Sequence, residues 1–370
     1  MQRSLFRVEN PFLANTLLGD GEPAEDGRIS RRRLVLVDSV VDDIYGARIH
    51  AYFAAHDIQA DVRIIRADET LKHWATVEEV LAAMADFGID RRREPVIVIG
   101  GGVLCDVVGF AASLYRRGTP YVRIPTTLIG IVDAGVGIKT GVNHLGGKNR
   151  IGVYAQPMIS LLDPSFLETL TERHLANGMA EILKVALVKS ASLFTGIERA
   201  TTLGIKAVFS EPSHAAVADA LVNESIHLML EELQPNLWES NLERCVDYGH
   251  TFSPIVEMHA LPELLHGEAV AIDMALTTGI SLRRDLMTHD EAHRVLSAIR
   301  GLGIDPWSSA LADEALLWSA VVDATRHRDG LQRVPLTRGI GDHVFVNDIA
   351  PVDVHAGTEF IRAAVPARAI

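Results

Sequence analysis

Val96-Ile97-Val98-Ile99-Gly100-Gly101-Gly102-Val103, with Asp106 and Gly109 just behind it, reads as a buried strand that ends in glycines. Glycines there let backbone N–H groups approach a pyrophosphate at the start of the following helix. About fifty residues on comes a strip of cations and neutral donors: Pro125-Thr126-Thr127, Asp133, Lys139-Thr140, Asn143 and Gly146-Gly147-Lys148-Asn149. A phosphorylated substrate with many hydroxyls needs such a loop system. The pair of features suggests a dinucleotide enzyme acting on a sugar phosphate. The turn alone fits a nucleotide or a plain strand-to-helix turn, because its pattern is GGGxxxD and not GxGxxG.

Around the turn, strands alternate with helices. Strands are expected at 34–38, 62–65, 96–99 and 121–124, and helices at 43–57, 75–87 and 103–116. That alternation predicts a mostly parallel sheet. Residues 1–30 are polar, with Gly19, Gly21, Pro23 and Gly27, and are expected to form a poorly fixed arm or edge hairpin. Arg31-Arg32-Arg33 reads as a solvated strand entry. After Asp163-Pro164 helical patterns dominate, at 172–190, 213–233, 242–259, 266–285, 290–302 and 311–324. The expected division is an α/β domain over 1–160 and an α-helical domain over 161–370, with the cleft between them as the default site.

Composition narrows the function. A chain of 370 residues suits two domains. A net charge of −13 argues against nucleic acid or an anionic membrane as partner, so an anionic substrate must meet a local cationic pocket. Two cysteines, Cys105 and Cys245, make no disulfide framework and fit a reducing cytoplasm. No stretch reaches membrane-spanning length, and Met1 to Ala14 lacks a long apolar signal region.

Three segments carry metal-ligating types: Glu181 in Gly178-Met179-Ala180-Glu181-Ile182-Leu183-Lys184, His250 in Tyr248-Gly249-His250-Thr251, and His266 in Leu265-His266-Gly267-Glu268. One carboxylate and two imidazoles make a zinc site with an open position, the catalytic pattern. Taken singly, each histidine is one of 15 and can be ordinary. Both sit beside a glycine at an expected helix start. Lys184 follows Glu181 by three residues and shares its helix face. The apolar surroundings bury that face, and a buried lysine needs a reason. Arg116-Arg117 and Arg326-His327-Arg328 are either solvated or drawn to substrate.

In order and spacing these segments resemble the sugar phosphate cyclases, the family of 3-dehydroquinate synthase, over roughly residues 34–345. The resemblance implies a Rossmann-like NAD-binding α/β domain, an all-α metal-binding domain and a homodimer. It implies a Zn²⁺ or Co²⁺ held by Glu181, His250 and His266. Asp38, Glu69, Lys72, Gly101, Gly102, Val103, Asp106, Thr126, Thr127, Phe166 and Thr169 match NAD contacts. Asp133, Lys139, Lys148, Asn149 and Lys184 match substrate and catalytic positions, and Arg117 matches a phosphate-binding arginine that reaches across the dimer.

The departures point to a branch. Where dehydroquinate synthases hold the substrate carboxylate with a lysine and an arginine, the matching positions are Met229 and Glu243. Neither holds a carboxylate, so the expected substrate lacks one. Asp247 and Pro254 also replace family residues. The sequence looks like the branch acting on sedoheptulose 7-phosphate, the 2-epi-5-epi-valiolone synthases, with Asp247 and His327 at positions that separate it from desmethyl-4-deoxygadusol synthases; the resemblance implies that these two are catalytic-site residues that replace the carboxylate clamp and fix substrate hydroxyls. The 2-epi-valiolone synthases and dehydroquinate synthase itself are near alternatives. A metal-dependent polyol dehydrogenase and a non-catalytic sugar-phosphate sensor are rivals of other classes; the dehydrogenase needs no Lys139/Lys148-Asn149 strip and would make net NADH.

Overall fold

The computed structural model describes residues 1–19 and 30–364. The chain divides into two compact units, Met1–Glu168 and Thr169–Ile370, so the division falls after Glu168 rather than at 160.

The first unit opens with helix α1 (Phe12–Gly19) and strand β1 (Arg32–Asp38). Helix α2 (Ser39–Ala55), β2 (Gln59–Ile65), α3 (Trp74–Phe87), β3 (Val96–Gly100), α4 (Gly102–Leu114) and β4 (Tyr121–Pro125) follow. A hairpin, β5 (Lys139–His144) and β6 (Gly147–Tyr154), precedes the short β7 (Ile159–Ser160). The main sheet is parallel, in the order β2-β1-β3-β4-β7. Its central strands are buried on both faces, which is why Leu34–Val37 and Val96–Ile99 are continuous apolar runs. The chain leaves β1 towards β2 on one side and returns to β3 on the other. The topological switch point therefore lies at the carboxyl ends of β1 and β3, at Asp38 and Gly100.

The first 19 residues correct the expected arm. Leu5, Phe6, Leu13 and Leu17 are buried, and Phe6 packs edge-on against Tyr52 and Phe53. Residues 20–29 of that expected arm lie outside the described residues. Arg33 also departs from expectation. It is fully buried, and its guanidinium donates to the carbonyl oxygens of Ser30 at 2.8 Å and Arg32 at 2.6 Å and to that of Leu17 in α1. A cation beside the last carbonyls of a helix is favourable, which accounts for one buried arginine in the triplet.

The second unit holds α5 (Glu172–Lys189), α6 (Ala191–Leu203), α7 (Ile205–Ser210), α8 (Ala215–Leu233), α9 (Ser253–His259), α10 (His266–Arg283), α11 (His289–Gly301), α12 (Glu314–His327) and α13 (Pro351–Ala364). Among its described residues the regular structure is helical apart from one antiparallel pair, β8 (Val334–Thr337) and β9 (His343–Val346). The helix expected at 242–259 is only α9. Gly249 has φ +74°, and Pro254 stands in the first turn of α9, so the chain before it runs as a loop. Helices α5 and α10 are buried along most of their length. They cross closely at Gly267, where an added Cβ would lie 2.0 Å from the Asn177 carbonyl oxygen. That crossing carries Glu181 on one helix and His266 on the other. No helix among the described residues is long and apolar enough to cross a membrane.

Candidate active site

In the first unit the glycine turn sits at the switch point. Gly101 caps α4 and Gly102 opens it. Added Cβ atoms on Gly101 and Gly102 would meet Thr127 and Ala134 at 3.4 Å, an ordinary contact, so the bare glycines let a phosphate approach the backbone more closely than side chains would. Thr126 is tied to the turn by its N–H, which donates to the Gly100 carbonyl oxygen at 2.9 Å. Thr127 Oγ1 accepts from Gly130 N at 3.1 Å. Asp38 ends β1 and accepts from Val40 N at 2.9 Å; burial raises its pKa above the ordinary value, against those backbone donors.

The buried Lys72 and the half-buried Asp106 form an ion pair at 2.6 Å. Glu69 Oε1 accepts from Asn143 Nδ2 at 2.8 Å, and Asn143 Oδ1 accepts from Asn149 N at 2.8 Å. Glu69, through its side chain, and Lys72, through its carbonyl oxygen at 2.8 Å, are thus bonded to Asn143 in the strip that carries Lys139, Lys148 and Asn149. That strip is an ordered hairpin and not a loop system. Asp133 lies in a π-helical turn, Gly130–Ala134, a local widening often found at functional sites. Arg117 is exposed, and it and Arg116 both have positive φ, 64° and 50°. Phe166 is different: its side chain is buried against Tyr45, ring centroids 5.0 Å apart, and serves the core. Thr169 is exposed and ends a short 3₁₀ turn.

In the second unit Glu181, His250 and His266 converge, with one ligand atom from each within 4.8 Å of the others. The Glu181 Oε1 atom lies 3.4 Å from His266 Nε2 and 3.8 Å from His250 Nε2. Each imidazole is oriented through its other nitrogen. His250 Nδ1–H donates to the Tyr248 carbonyl oxygen at 3.1 Å, and His266 Nδ1–H donates to Glu257 Oε2 at 2.8 Å. Both Nε2 lone pairs are thereby left facing a buried carboxylate oxygen, which is the donor set a divalent metal takes.

Electrostatics agree with the geometry. Burial is the largest influence on His250 and pushes its pKa down to about 4, which keeps the ring neutral, the form that ligates a metal. Burial alone would raise Glu181, but Lys184, His266 and His250 outweigh it and hold the carboxyl well below the usual range. Lys184 Nζ is 2.6 Å from Glu181 Oε2, and both side chains are almost wholly buried.

Two expected substrate residues have other partners. Asp247 is 2.9 Å from the buried Arg244, which also reaches Glu239 at 2.5 Å. His327 ends α12, exposed, 3.5 Å from Asp323. Of the two replaced carboxylate-clamp positions, Met229 is buried and Glu243 is exposed. His250 sits in the loop before α9 and not at a helix start, whereas His266 is the first residue of α10. Sequence reading missed Glu257, Asn177 and Arg244. For Glu257 the one signal was an acid in the apolar run Pro254-Ile255-Val256-Glu257-Met258. Asn177 Oδ1, which accepts from Gly267 N at 2.5 Å, gave none.

The models for the N-terminal and C-terminal parts of 3-dehydroquinate synthase match residues 62–177 and 178–324. A 2-epi-5-epi-valiolone synthase from Streptomyces albus is 54% identical over 358 residues, 96% of this chain and 85% of that protein. One from an Actinoplanes species is 52% identical over 337 residues, 90% of this chain and 84% of that protein. Among solved structures, ValA, a 2-epi-5-epi-valiolone synthase from Streptomyces hygroscopicus subsp. jinggangensis 5008 with NAD⁺ and Zn²⁺ bound, superposes with a TM-score of 0.91. It is 48% identical, over 98% of this chain and 96% of that one. The chain belongs to the 3-dehydroquinate synthase-like sugar phosphate cyclases, on the branch of the 2-epi-5-epi-valiolone synthases.

Proposed function

We propose that this protein converts sedoheptulose 7-phosphate to 2-epi-5-epi-valiolone and inorganic phosphate. The observation that carries the reading is the Glu181–His250–His266 cluster backed by Lys184, in a chain 54% identical to a synthase of that name. The substrate's chemistry sets the order of events. Loss of phosphate from C7 needs a proton to leave C6, and that proton is acidic only beside a carbonyl at C5. When bound, NAD supplies a reversible hydride acceptor for the C5 carbinol and Zn²⁺ or Co²⁺ a Lewis acid at its oxygen.

The chain's own residues bind, orient and move protons. Glu181, His250 and His266 hold the metal. Gly101, Gly102, Val103, Thr126 and Thr127 hold the cofactor phosphates, with Asp38, Glu69, Lys72, Asp106 and Thr169 around the remainder. Lys184 and Asp133 take and return the carbinol proton. Lys139, Lys148, Asn149 and Arg117 hold the phosphate, the last across a homodimer. Asp247 and His327 fix hydroxyls where relatives with carboxylated substrates carry cations. Both cysteines are free and buried, which fits action in a reducing cytoplasm.

The test is incubation with sedoheptulose 7-phosphate, NAD⁺ and Zn²⁺, followed by phosphate assay and NMR of the product. Phosphate release with the 2-epi-5-epi stereochemistry supports the reading. Turnover confined to the carboxylated dehydroquinate precursor overturns it.

A further inference from the structure

We infer that Asp273 is a positioning residue that fixes His250 at its separation from His266. The inference rests on the reading of Glu181, His250 and His266 as metal ligands. Asp273 is fully buried on α10, seven residues after His266, so the two project from one helix face two turns apart. Its Oδ2 accepts from Phe252 N at 2.5 Å and from Ser253 N at 2.9 Å. Those amides belong to the N-cap and first residue of α9, two and three residues after His250.

The loop is held to α10 on the other side of His250 as well. Gly249, at φ +74°, lies so close to α10 that an added Cβ would meet Val270 Cγ1 at 2.9 Å and Met274 Cγ at 3.1 Å. The Tyr248 hydroxyl donates to the Met274 carbonyl oxygen at 3.4 Å. His250 is thus carried on a short span clamped to α10 at Gly249 and again at Phe252-Ser253. A single rigid helix then sets both imidazoles, one directly and one through Asp273. A buried carboxylate is costly unless it is engaged, and these amides engage Oδ2, while Oδ1 is buried with no hydrogen-bond partner among the described residues. Nothing near Asp273 in sequence announces this, because the partners lie 20 and 21 residues away.

The test compares full-length wild type, Asp273→Asn and His266→Ala, each loaded with Co²⁺. The readouts are cobalt affinity by chelator competition, the visible d–d spectrum, far-UV circular dichroism and NAD⁺ affinity. Asp273→Asn is expected to bind cobalt roughly tenfold or more weakly. Its spectrum should change while its far-UV signal and NAD⁺ affinity hold. Wild-type cobalt affinity and spectrum in a folded Asp273→Asn protein overturn the inference. If that variant does not fold, Asp273→Ser, which lets water reach the same amides, is read in the same way. Failure of both to fold assigns Asp273 a general structural role and also overturns it. Wild-type cobalt binding by His266→Ala instead sinks the ligand assignment itself.

Discussion

Lys184 Nζ stands 2.6 Å from Glu181 Oε2, one turn away on α5, with both groups sealed from water. In the metal-free protein that ammonium is the nearest cation to a buried carboxylate. Lys184→Met is expected to cost the metal-free protein about 3 kcal/mol and the zinc-loaded protein less, because the ion then supplies the charge. Turnover should fall about a hundredfold or more if the lysine also handles a proton. Melting curves of both forms, with phosphate-release rates, check this. Equal destabilisation with normal turnover would reduce Lys184 to a structural ion pair.

Glu257 orients His266 and makes no claim on the metal. Glu257→Gln is expected to weaken zinc binding about tenfold to a hundredfold, as loss of an outer partner does elsewhere. Competition with a chromogenic chelator measures it. An unchanged affinity would mean that the α5–α10 crossing alone orients the ring.

Two glycines should respond in opposite ways. In Gly101→Ala the new methyl meets Thr127 Cγ2 at 3.4 Å, an ordinary contact, on a backbone with φ −71°. The fold should tolerate it while NAD⁺ affinity falls by about tenfold, or 1.4 kcal/mol. Gly267→Ala would press a methyl to 2.0 Å from the Asn177 carbonyl oxygen and should destabilise the second unit by about 2 kcal/mol or more. Titration of NAD⁺ and thermal melts separate the two effects. A cofactor-neutral Gly101→Ala would remove the turn from the proposed site.

Stability should carry an acid-sensitive term from Arg284. Its Nη2 is 2.7 Å from Asp353 Oδ2 at the packing of α10 on α13. Burial would raise Asp353, but Arg284 and the Ala350 N–H outweigh it and leave its pKa below the usual value. A carboxyl depressed in the folded state stabilises above its unfolded pKa and loses that contribution as pH falls through its folded one. Arg284→Met should therefore cost about 2 to 3 kcal/mol at neutral pH and progressively less below about pH 4. Denaturant melts across that range measure the gap. A gap independent of pH would assign the arginine's effect to packing.

The parts of the fold legible in the sequence are those with unbroken periodicity. Val96–Ile99 and Leu34–Val37 are central strands because nothing polar interrupts them, and α5 and α10 follow their apolar faces. The hairpin at Lys139–Tyr154 was hidden because Gly141 and Gly152 face each other across it and leave no alternation to read. The N-terminal packing was hidden because Leu5, Phe6, Leu13 and Leu17 are too scattered to show a period. In the site, residue type and order were enough to gather Glu181, His250, His266 and Lys184. Their supports were less legible: Asn177 acts through a tertiary contact with no local signature, Glu257 is marked only as an acid in an apolar run, and Tyr248 acts through a backbone carbonyl that no side chain announces. Phe166 illustrates the reverse, a residue matched by position whose side chain belongs to a core.

In the proposed reaction hydride leaves C5 and returns to it within one catalytic cycle. The most direct measurement uses sedoheptulose 7-phosphate carrying deuterium at C5, with enzyme, NAD⁺ and Zn²⁺, following absorbance at 340 nm, phosphate and the product's isotope content. Stoichiometric phosphate, no accumulating NADH and full retention of deuterium at the carbon it began on are expected. Net NADH without phosphate, or phosphate with the deuterium lost, would contradict it.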